Sequence, residues 1–220
     1  MEKKKKPDKS SLAGRILIGF GCALLLIAII LICRNSMESD KAAEETMRNL
    51  PGLKEEILAS AENSSEKKHV NPYDLEETEK SKEMTVKNIN GSDYIGYLSI
   101  PDFELELPVM ADWSYPSLQV APCRQFGSTK SDDLVIAAHN YESHFGHLKD
   151  LEQGNIISFT DMDGETAVYI VDSVGVIPPD AIETVQHSGY DLVLYTCTYG
   201  GANRVMAGCY RGEKEQAENK

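Results

Sequence analysis

Positive charge is scarce in this chain: 22 lysines and arginines stand against 35 aspartates and glutamates in 220 residues, a formal net charge of -13. A surface of that sign repels a phosphate backbone instead of neutralising it, which argues against nucleic acid as a partner. Cysteine is sparse, with five in the chain, and no internal repeat is visible. A chain of this length can bury a core of ordinary size without disulfide staples and still leave residues for an anchor and a linker.

Charge of either sign is absent from Ile16–Cys33, which lies between Arg15 and Arg34. As a helix, those 18 residues span about 27 Å, close to the hydrocarbon thickness of a bilayer. Residues 1–15 hold six cationic and two anionic side chains, a balance of +4, and Arg34 adds one more. The remainder, 35–220, therefore carries -18. The basic cluster ahead of the apolar run predicts a cytoplasmic amino terminus and an exported remainder. A cleavage site of small residues is lacking too, because Arg34-Asn35-Ser36-Met37 follows the run. An uncleaved signal anchor is the expectation.

Residues 34–90 read as an extracellular stalk. Ala42–Leu50 is rich in helix formers and is expected to stop at Pro51, with a second helical piece over Leu53–Ala61. Glu62–Val86, polar and poor in large apolar residues, reads as a solvated spacer. From about Tyr94 short apolar runs follow one another: Tyr94–Ile100, Leu105–Met110, Leu134–His139, Ile156–Phe159, Ala167–Ile177, Leu192–Cys197 and Val205–Tyr210. Turn residues separate them, as at Asp163-Gly164 and Gly200-Gly201. That texture predicts an all-β sandwich or barrel, with short helices only at Tyr115–Val120 and Phe145–Leu151.

Three cysteines, Cys123, Cys197 and Cys209, fall in the exported part, so at least one thiol is free unless it pairs between chains. Asp191–Cys197 and Arg204–Arg211 are strand-like runs joined by Thr198–Asn203. Symmetric closure of that loop pairs residue 197 with 204 and 195 with 206, setting Cys197 and Arg204 side by side on one face. An arginine there favours the nucleophilic thiolate and can donate to an oxyanion. His139 ends the apolar run Leu134–Ala138 at the expected rim of the barrel, where an imidazole can exchange protons with an amine. A surface arginine, a core cysteine and a capped histidine would explain each residue singly.

Leu194-Tyr195-Thr196-Cys197 followed by Arg204 closely resembles the signature of the sortases, membrane-anchored cysteine transpeptidases of Gram-positive bacteria. Ile136-Ala137-Ala138-His139-Asn140 resembles that family's strand-end histidine motif, and Tyr94–Pro101 with Leu107-Pro108-Val109 its opening strands. The resemblance covers roughly residues 90–212. It implies a closed eight-stranded barrel with one or two short helices. It also implies Cys197 as nucleophile, His139 as general acid and base, and Arg204 as oxyanion or positioning group, with Tyr195, Thr196, Asn140 and Asn203 as substrate contacts. The implied reaction cleaves an LPxTG-like sorting signal after threonine through a thioacyl-enzyme. An amine from a cell-wall precursor or a pilin lysine then takes the acyl group, and no cofactor is needed. Leu194 departs from the signature's frequent threonine, and the Cys-to-Arg loop is short, so the subclass stays open. So do a peptide-binding module without turnover and a hydrolase that releases the acyl group to water.

The expected organisation is a basic tail at 1–15, a membrane anchor at 16–33, a stalk at 34–90, a catalytic domain at 91–212 and a disordered tail at 213–220. The partners would be secreted proteins bearing the signal, the amine acceptor and the membrane. His139, His144 and His147 with Glu142 match no zinc motif, and His144 and His147 read as rim residues near the substrate groove or as solvated. Asn71-Pro72-Tyr73-Asp74 faintly resembles the lid of pilin-polymerising sortases, although a turn explains it. Asp161, Asp163 and Glu165 read as a polar hairpin turn before a calcium site.

Overall fold

The computed structural model describes residues 9–66 and 83–213. The lid-like segment at 71–74, most of the Glu62–Val86 spacer, the first eight residues of the basic tail and nearly all of the tail at 213–220 lie outside them. Two compact units divide the chain, 1–40 and 41–220. In the first, helix α1 (Lys9–Glu66) begins. Its apolar side chains point outward all round, Ile16, Leu17, Phe20 and Leu24–Ile27 included. An 18-residue window reaches a mean hydropathy of 3.1, so the helix is long and apolar enough to cross a membrane.

The described residues of the second unit contain the rest of α1 and nine strands: β1 (Lys87–Ile89), β2 (Ser92–Ile100), β3 (Leu105–Met110), β4 (Cys123–Phe126), β5 (Leu134–Ala138), β6 (Ile156–Asp161), β7 (Thr166–Ile177), β8 (Leu192–Cys197) and β9 (Arg204–Arg211). The sheet order is β1-β2-β3-β4-β5-β8-β9-β7-β6, and β6 pairs back onto β2. Eight strands, β2 to β9, therefore form a closed barrel, and β1 is a short appendage. An Asn90-Gly91 turn with both φ angles positive joins β1 to β2. Closure depends on Gly96, at the bulge of β2. Its φ is +147°, and a Cβ there would sit 2.1 Å from the Thr160 carbonyl oxygen of β6. Only glycine lets the two strands meet so closely.

Alternation fills the barrel. Leu134, Ile136 and Ala138 of β5, Leu192 and Leu194 of β8, and Val205, Ala207 and Cys209 of β9 belong to one buried cluster with Phe159 and Tyr169. The intervening residues face outward and are covered by two smaller clusters. Helices α2 (Tyr115–Leu118) and α3 (Ile182–Gln186) contribute Leu118 to one and Val185 to the other.

The helical part of the 34–90 segment packs on the barrel. Ala42, Leu53 and Ile57 of α1 are buried, and Leu53 and Ile57 pack with Tyr94, Met110 and Met162 on the outer wall. Lys54 pairs with Glu106 at 2.6 Å, and Lys87 with Glu56 at 3.1 Å. The helix does not stop at Pro51, which lies inside α1. A proline there sacrifices one backbone bond, at roughly 3 kcal/mol, and packing of the following turns on the barrel offsets it. Burying Leu53 and Ile57 contributes on the order of 3–6 kcal/mol together. A chain beginning at residue 67 should therefore unfold at a clearly lower urea concentration than one beginning at residue 41. Coincident unfolding midpoints would contradict this packing.

Candidate active site

Strand order decides which residues meet. β5 and β8 run parallel with Ala138 opposite Thr196, while β8 and β9 run antiparallel with Cys197 opposite Arg204 and Tyr195 opposite Met206. The predicted hairpin register is the observed one. Ala138 and Thr196 face inward, both buried. The residue after each, His139 and Cys197, lines a groove. Cys197 thus ends the strand that lies between β5, which His139 follows, and β9, which Arg204 begins. All three line one groove of about 400 Å³. Its lining includes Ala137 and Tyr195, which face outward from β5 and β8.

Ala137 and Tyr195 form the groove floor, Trp113, Tyr115 and Leu118 line one side, and Ile177, Pro178, Pro179, Ala181 and Val185 line the other. Trp113 and Tyr115 pack with ring centroids 5.1 Å apart. No carboxylate appears among the lining residues, and Arg204 is their one permanent cation. In a chain of net charge -13, the charged lining of the groove is thus cationic, the sign that favours a thiolate or an oxyanion.

The three thiols of the second unit differ sharply. Cys123 and Cys209 are buried, Cys197 is half-exposed, and all are free. Burial pushes the Cys123 and Cys209 thiols up to about 12. A disulfide between them is barred by placement, since Cys209 belongs to the barrel interior and Cys123 to the outer cluster. Arg204 uses Nη1 to donate to the carbonyls of Gly201 (3.1 Å) and Asn203 (3.0 Å). Its other guanidinium nitrogens have no hydrogen-bond partner among the described residues. Burial raises Tyr195 to about 12, with the Arg204 charge opposing that shift, so the floor presents a protonated phenol.

The remaining expected contacts fare differently. Thr196 is buried and donates its hydroxyl to the Ala138 carbonyl at 2.8 Å. That bond ties the residue before Cys197 to the residue before His139. Asn140 and Asn203 do not line the groove; the Asn203 carbonyl accepts from the Thr198 amide and from Arg204. His144 is wholly buried and therefore not solvated. His147 is exposed and pairs with Asp150 at 3.2 Å. Among the described residues there is no group of three or more His, Cys, Asp or Glu side chains placed to hold a metal ion. Asp161 closes a hairpin turn, its carboxylate accepting from the amides of Asp163 and Glu165.

A model of the sortase domain matches residues 98–211, just over half of the chain. The chain belongs to the sortase family. No curated protein matches it. Solved structures similar to it include sortase C1 from Streptococcus suis, 28% identical over 58% of this chain and 76% of that one, with a TM-score of 0.49. Sortase C1 of GBS Pilus Island 1 is 24% identical over 55% of this chain, with a TM-score of 0.49; the match spans 64% of that protein's length, under two thirds. A Clostridium perfringens sortase C, solved with the C-terminal cell wall sorting motif, is 23% identical over 57% and 74%, with a TM-score of 0.49. The assignment to sortases rests on the family match alone.

Sequence reasoning missed most of the groove's walls. The wall at Pro178 and Pro179, and α3 after it, were not expected. The apolar spacing of Ala181 and Val185, four residues apart, was the available signal. The single tryptophan, Trp113, was another.

Proposed function

We propose that the groove binds the sorting signal of a secreted protein in extended form and that Cys197 opens it. The observation carrying this reading is the half-exposed Cys197 lining, with His139 and Arg204, a groove without carboxylates. The Cys197 sulfur attacks the carbonyl carbon of the threonine in an LPxTG-like motif, forming a C–S bond. Arg204 donates to the resulting oxyanion. The C–N bond then breaks, and His139 gives its proton to the departing amine. An amino group, from a cell-wall precursor or a pilin lysine, attacks the thioester next. His139 takes its surplus proton and Cys197 leaves as thiolate. Splitting one amide exchange into two steps is what covalent catalysis provides.

The apolar stretch of α1 would serve as the membrane anchor, with the basic residues before it cytoplasmic and the barrel outside. The stretch from Arg34 to 90 would then connect anchor to barrel, part of it packed on the wall, and 91–212 would be the catalytic domain.

Intact-protein mass spectrometry after exposure to a panel of sorting peptides tests the reading. A mass gain equal to the amino-terminal peptide fragment, mapped to Cys197 and released by hydroxylamine, is expected. No adduct from any peptide, or one mapped to another residue, would overturn the assignment.

A further inference from the structure

His139 is the first residue past β5, and the seven residues after it fold tightly back. The Phe145 amide donates to the His139 carbonyl at 3.1 Å, and the His144 and Gly146 amides donate to the Tyr141 carbonyl at 3.0 and 2.8 Å. A Cβ on Gly146 would lie 2.7 Å from that Tyr141 oxygen, so this fold-back requires glycine. Its effect is to bring two rings behind His139. Tyr141, itself buried, stacks on the His139 imidazole with centroids 4.7 Å apart and planes 29° from parallel. His144 meets Tyr141 at 5.7 Å.

His144 is the unexpected member. It is 0% exposed, and neither ring nitrogen has a hydrogen-bond partner among the described residues. A buried polar group without a partner is destabilising, and an aliphatic side chain would fill the position at less cost. Burial first, and the nearby His139 second, lower its pKa to about 4, so it stays neutral near pH 7. Such local costs persist mainly at functional sites.

We propose that Tyr141 and His144 are positioning residues, a two-ring stack that fixes the His139 imidazole in the groove beside Cys197. Tyr141 is the platform under the imidazole. His144 backs Tyr141 with a flat ring and, being neutral, leaves the working proton to His139. The proposal rests on His139 acting as the acid and base.

The test uses the full chain in detergent micelles, with Tyr141→Phe, Tyr141→Leu and His144→Leu variants. Transfer kinetics would be combined with proton NMR of the histidine rings. Tyr141→Leu should lower kcat roughly 10- to 100-fold with KM within about twofold, because misplacing a catalytic group by about an ångström costs that much. It should also remove the ring-current shift of the His139 protons. Tyr141→Phe should restore both. His144→Leu should lower kcat without lowering the thermal midpoint. Unchanged kcat in Tyr141→Leu, or a Tyr141→Phe variant as impaired as Tyr141→Leu, overturns the proposal. If Tyr141→Leu fails to fold, unchanged kcat in His144→Leu overturns it instead. A Cys197→Ala control separates the two ideas. Turnover surviving there would remove the catalytic reading, while loss there with unimpaired stack variants would remove this inference alone.

Discussion

Cys197→Ala should reduce transpeptidation by at least about 10⁴-fold, because removing the nucleophile of a covalent mechanism leaves only binding and oxyanion stabilisation. Peptide affinity should change little, since the floor at Ala137 and Tyr195 and the walls at Trp113 and Val185 remain. The other two barrel thiols cannot substitute. With pKa values pushed to about 12, about one part in 10⁴ of either is thiolate at pH 8. A raised thiol pKa keeps the neutral form dominant up to that value, so this silence should hold throughout pH 6–9. Iodoacetamide should accordingly label Cys197 and spare Cys123 and Cys209 in the folded protein, as peptide mapping would show. Should Cys197→Ala retain more than a hundredth of wild-type turnover, the sulfur would not be the nucleophile.

The parts of this chain governed by short-range periodicity were legible before folding. Leu105–Met110 and Leu192–Cys197 are observed as strands with the bounds read from sequence. The register of the last hairpin followed from loop symmetry, because a Gly200-Gly201 turn with both φ angles positive closes it tightly. β1 and β4 were missed; three and four residues are too few to show a period. Phe145–Leu151 was read as a helix, yet it contains a tight turn and a 3₁₀ segment, Leu148–Asp150. There the fold-back onto His139 overrides local propensity. The burial of α1 on the barrel was illegible for a related reason. Ala42, Leu53 and Ile57 are few apolar residues in a polar stretch, and their partners, Tyr94, Met110 and Met162, are distant in sequence. The meeting of His139 with Cys197 has the same character. It requires the parallel β5–β8 pairing, which joins strands separated by two others and α3, and no local pattern announces such a pairing.

Arg204 carries the second large expectation, and its geometry separates two possible roles. One guanidinium nitrogen holds the β8–β9 loop through the Gly201 and Asn203 carbonyls, which leaves the others for the groove. If those donors serve the oxyanion, Arg204→Ala should lower kcat/KM by about 10²–10³-fold, roughly 2.7–4 kcal/mol of transition-state stabilisation. The rate of Cys197 alkylation by iodoacetamide, which develops no oxyanion, should then fall far less. If the arginine instead holds the thiolate, both rates should fall together. Arg204→Lys should recover only part of the loss. A lysine keeps the charge, but its single ammonium cannot hold two loop carbonyls and reach the groove in the fixed geometry of a planar fork. A loss below about threefold in Arg204→Ala would demote the residue to a loop tether. It would leave His139 and Cys197 to work with a donor still to be found, the Tyr195 phenol of the groove floor being the nearest candidate in kind.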